Sequence, residues 1–189
     1  NESHTQIVGD GTCYTYDAIG NLITVMPATY TSDSTYVPVL DEESVEYIYD
    51  EHNRLESIAS DSTTYYFEYD VFGNTDSISV GSRELASYEY NPHNGKLTKL
   101  CYGNGFAVRY EYNELDNITE IWYTVPVRNS DGTVTYQETQ AYGYTYTAYG
   151  QLYRFDNLRT GKSIIYKYDT AGKMTSFVEF DTEDIITCG

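Results

Sequence analysis

One short phrase is written seven times in this chain: an aromatic residue, any residue, Tyr, a small polar residue and, three places later, most often Gly. A chain that repeats so short a unit is constrained to stack like supersecondary elements, each burying its apolar face against the next. The second aromatic of each copy is Tyr16, Tyr49, Tyr69, Tyr90, Tyr112, Tyr146 or Tyr168, so the spacings are 33, 20, 21, 22, 34 and 22 residues. The period is therefore about 21 residues, interrupted by insertions near residues 27–44 and 125–139. Two places earlier stands Tyr14, Tyr47, Phe67, Tyr88, Tyr110, Tyr144 or Tyr166, aromatic in every copy.

The residues after the aromatic pair describe a turn. Asp17, Asp50, Asp70, Asn91, Asn113, Thr147 and Asp169 are short side chains that accept hydrogen bonds from backbone N–H groups two residues on. Gly20, Asn53, Gly73, Asp116, Gly150 and Gly172 follow three residues later, the residue types that best tolerate positive φ. This is the pattern of a three-residue hairpin loop, a type I turn followed by a G1 bulge. The acceptance of Asn and Thr at the first position predicts a turn-former whose charge is dispensable.

That loop length fixes the register. It places Tyr16, Tyr49, Tyr69, Tyr112, Tyr146 and Tyr168 opposite Leu22, Leu55, Thr75, Ile118, Leu152 and Met174. The fourth copy, "YNPHNGKL", is one residue longer and closes at Gly95, yet Tyr90 still faces Leu97. A further apolar residue sits three places after the Leu position, Val25, Ile58, Ile78, Leu100, Ile121, Phe155 or Phe177, where strict alternation would put it on the wrong face. Either the strand ends there or a bulge between the two restores both to the apolar face. Between the aromatics lie mostly polar residues, Glu68, Glu89, Glu111 and Lys167 among them, which predicts one aromatic face and one wet face.

Twenty-three Tyr, few Pro and no helical periodicity make the expected fold all-β: an antiparallel meander of about seven hairpins over residues 1–189, forming one curved, spiral or barrel-like sheet with almost no helix. A net charge of −18 disfavours nucleic acid as a partner, and no run approaches the ~20 apolar residues of a membrane-spanning helix. Cys13, Cys101 and Cys188 show neither zinc spacing nor an even framework, although a Cys13–Cys188 staple would join the ends. No cofactor or metal is expected.

The pattern Y-x-Y-D-x-x-G-x-L at this spacing, from residue 14 to 178, resembles the YD repeat of the Rhs (rearrangement hotspot) family, seen also in teneurins and insecticidal toxin-complex subunits. The resemblance implies a strip of hairpins acting as scaffold rather than catalyst. In larger members it forms a shell around a C-terminal toxin or the chain's own C-terminal segment. It implies a secreted or surface-displayed, bacterial-type protein whose partners are other segments of its parent chain. Seven copies are too few for a full shell, and no "DPxG"-like close of the repeat core is present.

Individuality is expected where the period breaks. Trp122 and Tyr123 precede the second insertion, and Tyr30 and Tyr36 lie in the first; these are the possible ligand-binding residues, with glycans as the ligand suited to exposed rings. Asp131-Gly132 signals a turn of its own, so both insertions read as extended hairpins. His4, His52 and His93 join no nucleophile or metal motif, and "DTAG" at 169–172 is the repeat's own turn, so no catalytic residue is assigned.

Overall fold

The computed structural model describes residues 10–30, 36–39 and 44–182 of the chain. They contain no α-helix and fall into two compact units, Asn1–Leu85 and Ala86–Gly189. The first holds β1 (Asp10–Tyr16), β2 (Leu22–Tyr30), β3 (Tyr36–Pro38), β4 (Val45–Tyr49), β5 (Leu55–Ser60), β6 (Thr63–Tyr69) and β7 (Thr75–Val80). Strand β8 (Arg83–Tyr90) carries the boundary. The second unit continues with β9 (Leu97–Tyr102), β10 (Ala107–Tyr112), β11 (Ile118–Arg128), β12 (Val134–Tyr146), β13 (Leu152–Asn157), β14 (Lys162–Tyr168) and β15 (Met174–Asp181). Within each unit hydrogen-bonded neighbours follow chain order, and β3 pairs with β2 beside that path. The fold is an all-β antiparallel meander.

Each hairpin has the register that its turn dictates. Tyr16 lies opposite Leu22, Tyr49 opposite Leu55, Tyr69 opposite Thr75, Tyr90 opposite Leu97, Tyr112 opposite Ile118, Tyr146 opposite Leu152 and Tyr168 opposite Met174. In each the register slips by one residue just before that Tyr, so the earlier aromatic meets the second apolar residue: Tyr14 opposite Val25, Tyr47 opposite Ile58, Tyr110 opposite Ile121, Tyr166 opposite Phe177. Of the two readings of that spacing, the bulge is the one present, and it sets both apolar pairs on one face.

The seven turns share one bonding pattern. In the first, Asp17 N–H donates to the Asn21 carbonyl at 2.9 Å and Gly20 N–H to the Asp17 carbonyl at 3.2 Å. Asp17 Oδ1 then accepts the N–H groups of Ile19 and Asn21. Asp50, Asp70, Asn113, Thr147 and Asp169 accept the equivalent pair, and Asn91 accepts from His93 in the longer fourth loop. The closing residues, Gly20, Asn53, Gly73, Gly95, Asp116, Gly150 and Gly172, all have φ between 61° and 96°.

At three of the four Asp positions the carboxylate adds a contact through its second oxygen. Its second oxygen takes the Asn21 amide in Asp17, the Asn74 amide in Asp70 and the Arg54 guanidinium in Asp50. Asp17 and Asp70 are held below the ordinary carboxylate value of 3.8. In Asp17 burial pushes the other way and is outweighed by the bonds from Asn21, Ile19 and Gly20, and in Asp70 the Asn74 amide leads. Asp50 is lowered chiefly by the Arg54 backbone N–H. A carboxyl depressed on folding adds stability above its unfolded pKa and loses it as pH falls through the folded value. Acidification below about pH 4 is therefore expected to open the turns of Asp17, Asp50 and Asp70, all in the first unit, before those of Asn91, Asn113 and Thr147. Hydrogen exchange against pH, corrected for intrinsic rates, measures this; equal loss of protection in both sets would contradict it.

The hairpins are joined to one another by a tie that repeats with them. Between hairpins the backbone ladders stop short of the turns: β5–β6 ends at Ser57–Tyr66, β9–β10 at Lys99–Arg109, β11–β12 at Glu120–Gly143 and β13–β14 at Arg154–Ile165. Two residues beyond each end sits the Leu-position residue, and its carbonyl accepts a tyrosine hydroxyl from the next copy. Tyr69 donates to Leu55 at 2.8 Å, Tyr112 to Leu97 at 2.8 Å, Tyr146 to Ile118 at 2.7 Å and Tyr168 to Leu152 at 2.6 Å. Tyr49 does the same to Leu22 at 3.0 Å. A carbonyl that the splayed strands would leave unpaired is thus satisfied by the residue that names the repeat.

Neighbouring turns also touch. The Asn21 amide donates to Asn53, Asn94 donates to Asp116 at 3.1 Å, and Gln151 donates to the Gly172 carbonyl at 2.8 Å. Burial is slight by comparison. The buried apolar residues among those described are Ala28, Ala86, Ala107, Val108 and Ala141, while the aromatic face is mostly half-buried. Cross-strand pairs and inter-repeat bonds, more than a closed core, hold each unit together.

Candidate functional site

The second insertion is an arm. Strands β11 and β12 pair without a break from Trp122–Gln140 to Arg128–Val134, well past the Ala107–Thr124 pair where β10 stops. Its tip repeats the turn chemistry of the copies, with Asn129 N–H donating to the Thr133 carbonyl and Gly132 N–H to the Asn129 carbonyl. The β9–β10 turn packs against its base. A Cβ on Gly105, which has φ +86°, would meet Tyr136 Cε1 at 3.2 Å and Pro126 at 3.5 Å.

Trp122 and Tyr123 are consecutive in β11 and therefore face opposite ways. On the wet face Trp122 Nε1 donates to Glu120 at 2.7 Å, and the Arg109 guanidinium lies 5.0 Å from the ring centre. Arg109 is fixed in turn by Glu138 at 2.9 Å and by Glu111. The pair is mutually stabilised: the Arg109 bond is the leading cause that lowers Glu138, and the Glu138 bond the leading cause that raises Arg109. Trp122 is thus part of a braced ion-pair cluster, with one ring face occupied by a cation.

Tyr123 belongs to the aromatic face, in a continuous run of rings. Centroids are 5.8 Å apart for Tyr102–Phe106, 5.3 Å for Phe106–Tyr123, 6.0 Å for Tyr123–Tyr142 and 5.8 Å for Tyr142–Phe155. Burial raises the phenols of Tyr110, Tyr123 and Tyr144, so each stays a neutral donor. Beside this run, at the base of the arm, opens a cavity of about 430 Å³ lined by Phe106, Tyr123, Val125, Thr139, Gln140 and Arg159. Arg159 comes from the β13–β14 turn and lies over the Tyr123 ring at 5.4 Å. Aromatic walls, a guanidinium and two uncharged polar side chains can hold a small polar ligand by its flat side and its anionic group.

Trp122 and Tyr123 are separated by the sheet; Tyr30 and Tyr36 are paired with each other across β2–β3 in the other unit, and their side chains lie outside what is described. His52 and His93 occupy exposed turn tips, and His4 lies outside the described residues. Cys13 and Cys101 are free thiols, whereas Cys188, the other half of the staple, also lies outside the described residues. Among the described residues no three His, Cys, Asp or Glu side chains are placed to hold a metal, and no helix is long and apolar enough to cross a membrane. Sequence reasoning missed Phe106 and Arg159. Phe106 follows the β9–β10 turn and Arg159 sits in the β13–β14 turn, at the end of the hairpins opposite the repeated phrase, where no periodic signal marks a position.

Hairpins of one register, closed by closely similar turns and tied to their neighbours by Tyr hydroxyls, make an all-β hairpin-repeat fold. The chain is related to the YD/Rhs-repeat proteins. No family model matches it. It is similar to Teneurin-4 of the mouse (Mus musculus), with 28% identity over 118 residues, 62% of this chain and 4% of that protein. A chain in the crystal structure of TcdB2-TccC3-Cdc42 has the same fold over 86% of this chain and 9% of its own, at 16% identity and a TM-score of 0.59. The chain thus spans only a small fraction of the length of these relatives.

Proposed function

We propose that the chain is a non-catalytic wall segment of a larger, secreted or surface-displayed YD-repeat protein, enclosing or presenting another part of its parent chain. The observation that carries this reading is the aromatic face: inner copies half-bury it, while Tyr14 and Tyr16 in β1 are 55% and 59% exposed and Phe177 in β15 is 61% exposed. Such a surface asks for a neighbouring segment to cover it. A self-sufficient binding domain would close its own core. The similarity to short stretches of far longer proteins supports the same reading.

Sedimentation velocity of this chain over a range of concentrations tests it. With its aromatic strip uncovered and its edge strands β1 and β15 unpaired among the described residues, the chain is expected to self-associate, and Tyr14→Lys with Phe177→Lys is expected to restore a monomer. A monomer at every concentration, unchanged by the substitutions, would count against the wall.

A further inference from the structure

We propose that the free edge of β15 is an interaction surface for β1 of a second copy, so that copies of the chain join head to tail through one more junction of the kind that joins the hairpins. The junctions inside the chain share one geometry. In β2–β4, β5–β6, β9–β10, β11–β12 and β13–β14 the ladder pair nearest the turns joins the residue two after the Leu position to the residue three before the next Tyr, Thr24–Glu46 in the first case and Arg154–Ile165 in the last. The next pair inward is apolar or aromatic on both sides in all five, as in Ile58–Tyr65 and Phe155–Ile164. A Tyr hydroxyl then closes each junction on the carbonyl of the Leu position.

The two ends of the strand order hold the complementary halves of such a junction. Every junction sets the second strand of one hairpin against the first strand of the next; β15 is the second strand of the last hairpin and β1 the first strand of the first. Among the described residues the exposed Tyr16 makes no such tie, and no Tyr of a later copy reaches the carbonyl of Met174, the seventh Leu-position residue. Edge strands are ordinarily blunted by Lys, Pro or short length, yet the seven residues of β1 and the eight of β15 include neither Lys nor Pro. Extending the shared register places Ser176 opposite Cys13, Phe177 opposite Thr12 and the Tyr16 hydroxyl on the Met174 carbonyl. Phe177 then meets a β-branched residue and lies diagonal to Tyr14, which covers exposed apolar surface of both copies. The contact is heterologous, so copies add beyond the dimer.

Disulfide trapping in the whole chain tests the register, with Cys101→Ser and Cys188→Ser leaving Cys13 as the single native thiol. Directly opposed residues of an antiparallel pair have Cα atoms about 4.5–5.5 Å apart, within disulfide reach. Copper-catalysed air oxidation of Ser176→Cys is expected to give dimers, trimers and longer species on a non-reducing gel. Trapping should be about tenfold or more slower for Thr175→Cys and Phe177→Cys, which face the other side of the sheet. Tyr16→Phe, whose hydroxyl is not needed within the chain, is expected to keep its thermal midpoint and to weaken association about fivefold. Equal trapping at the three positions, a disulfide formed within one chain, or indifference to Tyr16→Phe would each overturn the proposal. The junction rests on the wall reading only in taking both edges as open: association without the expected disulfide overturns the junction alone, whereas a monomer at every concentration counts against the wall as well.

Discussion

Changing Tyr112, Tyr146 and Tyr168 together to Phe is expected to lower the unfolding free energy of the Ala86–Gly189 unit by about 3 kcal/mol, at about 1 kcal/mol for each hydrogen bond lost. Each hydroxyl meets a backbone carbonyl that has no strand partner, so its removal leaves a half-buried acceptor without a donor rather than merely shortening a side chain. The rings remain, so packing is nearly unchanged. Tyr149→Phe is the control: that residue is 91% exposed at a turn tip and makes no such bond, and its loss should be silent. Urea denaturation of the three proteins measures the difference. A triple variant as stable as the parent would show that water replaces the hydroxyls without cost.

Gly105→Val should be nearly as damaging, by about 3 kcal/mol, because a left-handed backbone costs a β-branched residue about 1–2 kcal/mol and overpacking a further 1–3. The new Cβ would sit 3.2 Å from Tyr136 and 3.5 Å from Pro126, against the base of the arm. Gly132→Val separates the two costs. Gly132 also has φ +86°, at the tip of the same arm, but a Cβ there meets nothing within 4 Å. Only the backbone term should appear. Hydrogen exchange along β11 and β12 is expected to rise at the arm's base for Gly105→Val and near its tip for Gly132→Val; equal effects would mean that the turn does not pack on the arm.

Much of the architecture was legible because local chemistry fixed it. A three-residue loop leaves one register, and the extra residue between Leu22 and Val25 had to be absorbed by a bulge if both were to meet aromatics. The arm was readable from Asp131-Gly132 for the same reason. The tyrosine ties were not, because they depend on where the ladders between hairpins stop, and no single hairpin encodes that. Charge at the turn was underestimated too: the backbone needs only an acceptor, as Asn113 shows, but Asp50 also holds Arg54 through its second oxygen. The candidate site was legible in part. Tyr123, named for its place beside an insertion, lies on the aromatic face, whereas Trp122, one residue away, is committed to Arg109 and Glu120 on the other face.

The unequal ladders make the second unit mechanically uneven. Between β13 and β14 the backbone pairing runs only from Arg154–Ile165 to Asn157–Lys162, and one phenol and the Gln151 amide close the remainder. Between β11 and β12 the arm prolongs it to Arg128–Val134, so the fifth and sixth hairpins are welded where their neighbours are only stitched. A pull along the chain would peel hairpins apart at the stitches, each releasing about 70 Å of slack for a 21-residue period, and would stall at the weld. An insertion at the end of a hairpin thus works as a rip-stop in the fabric.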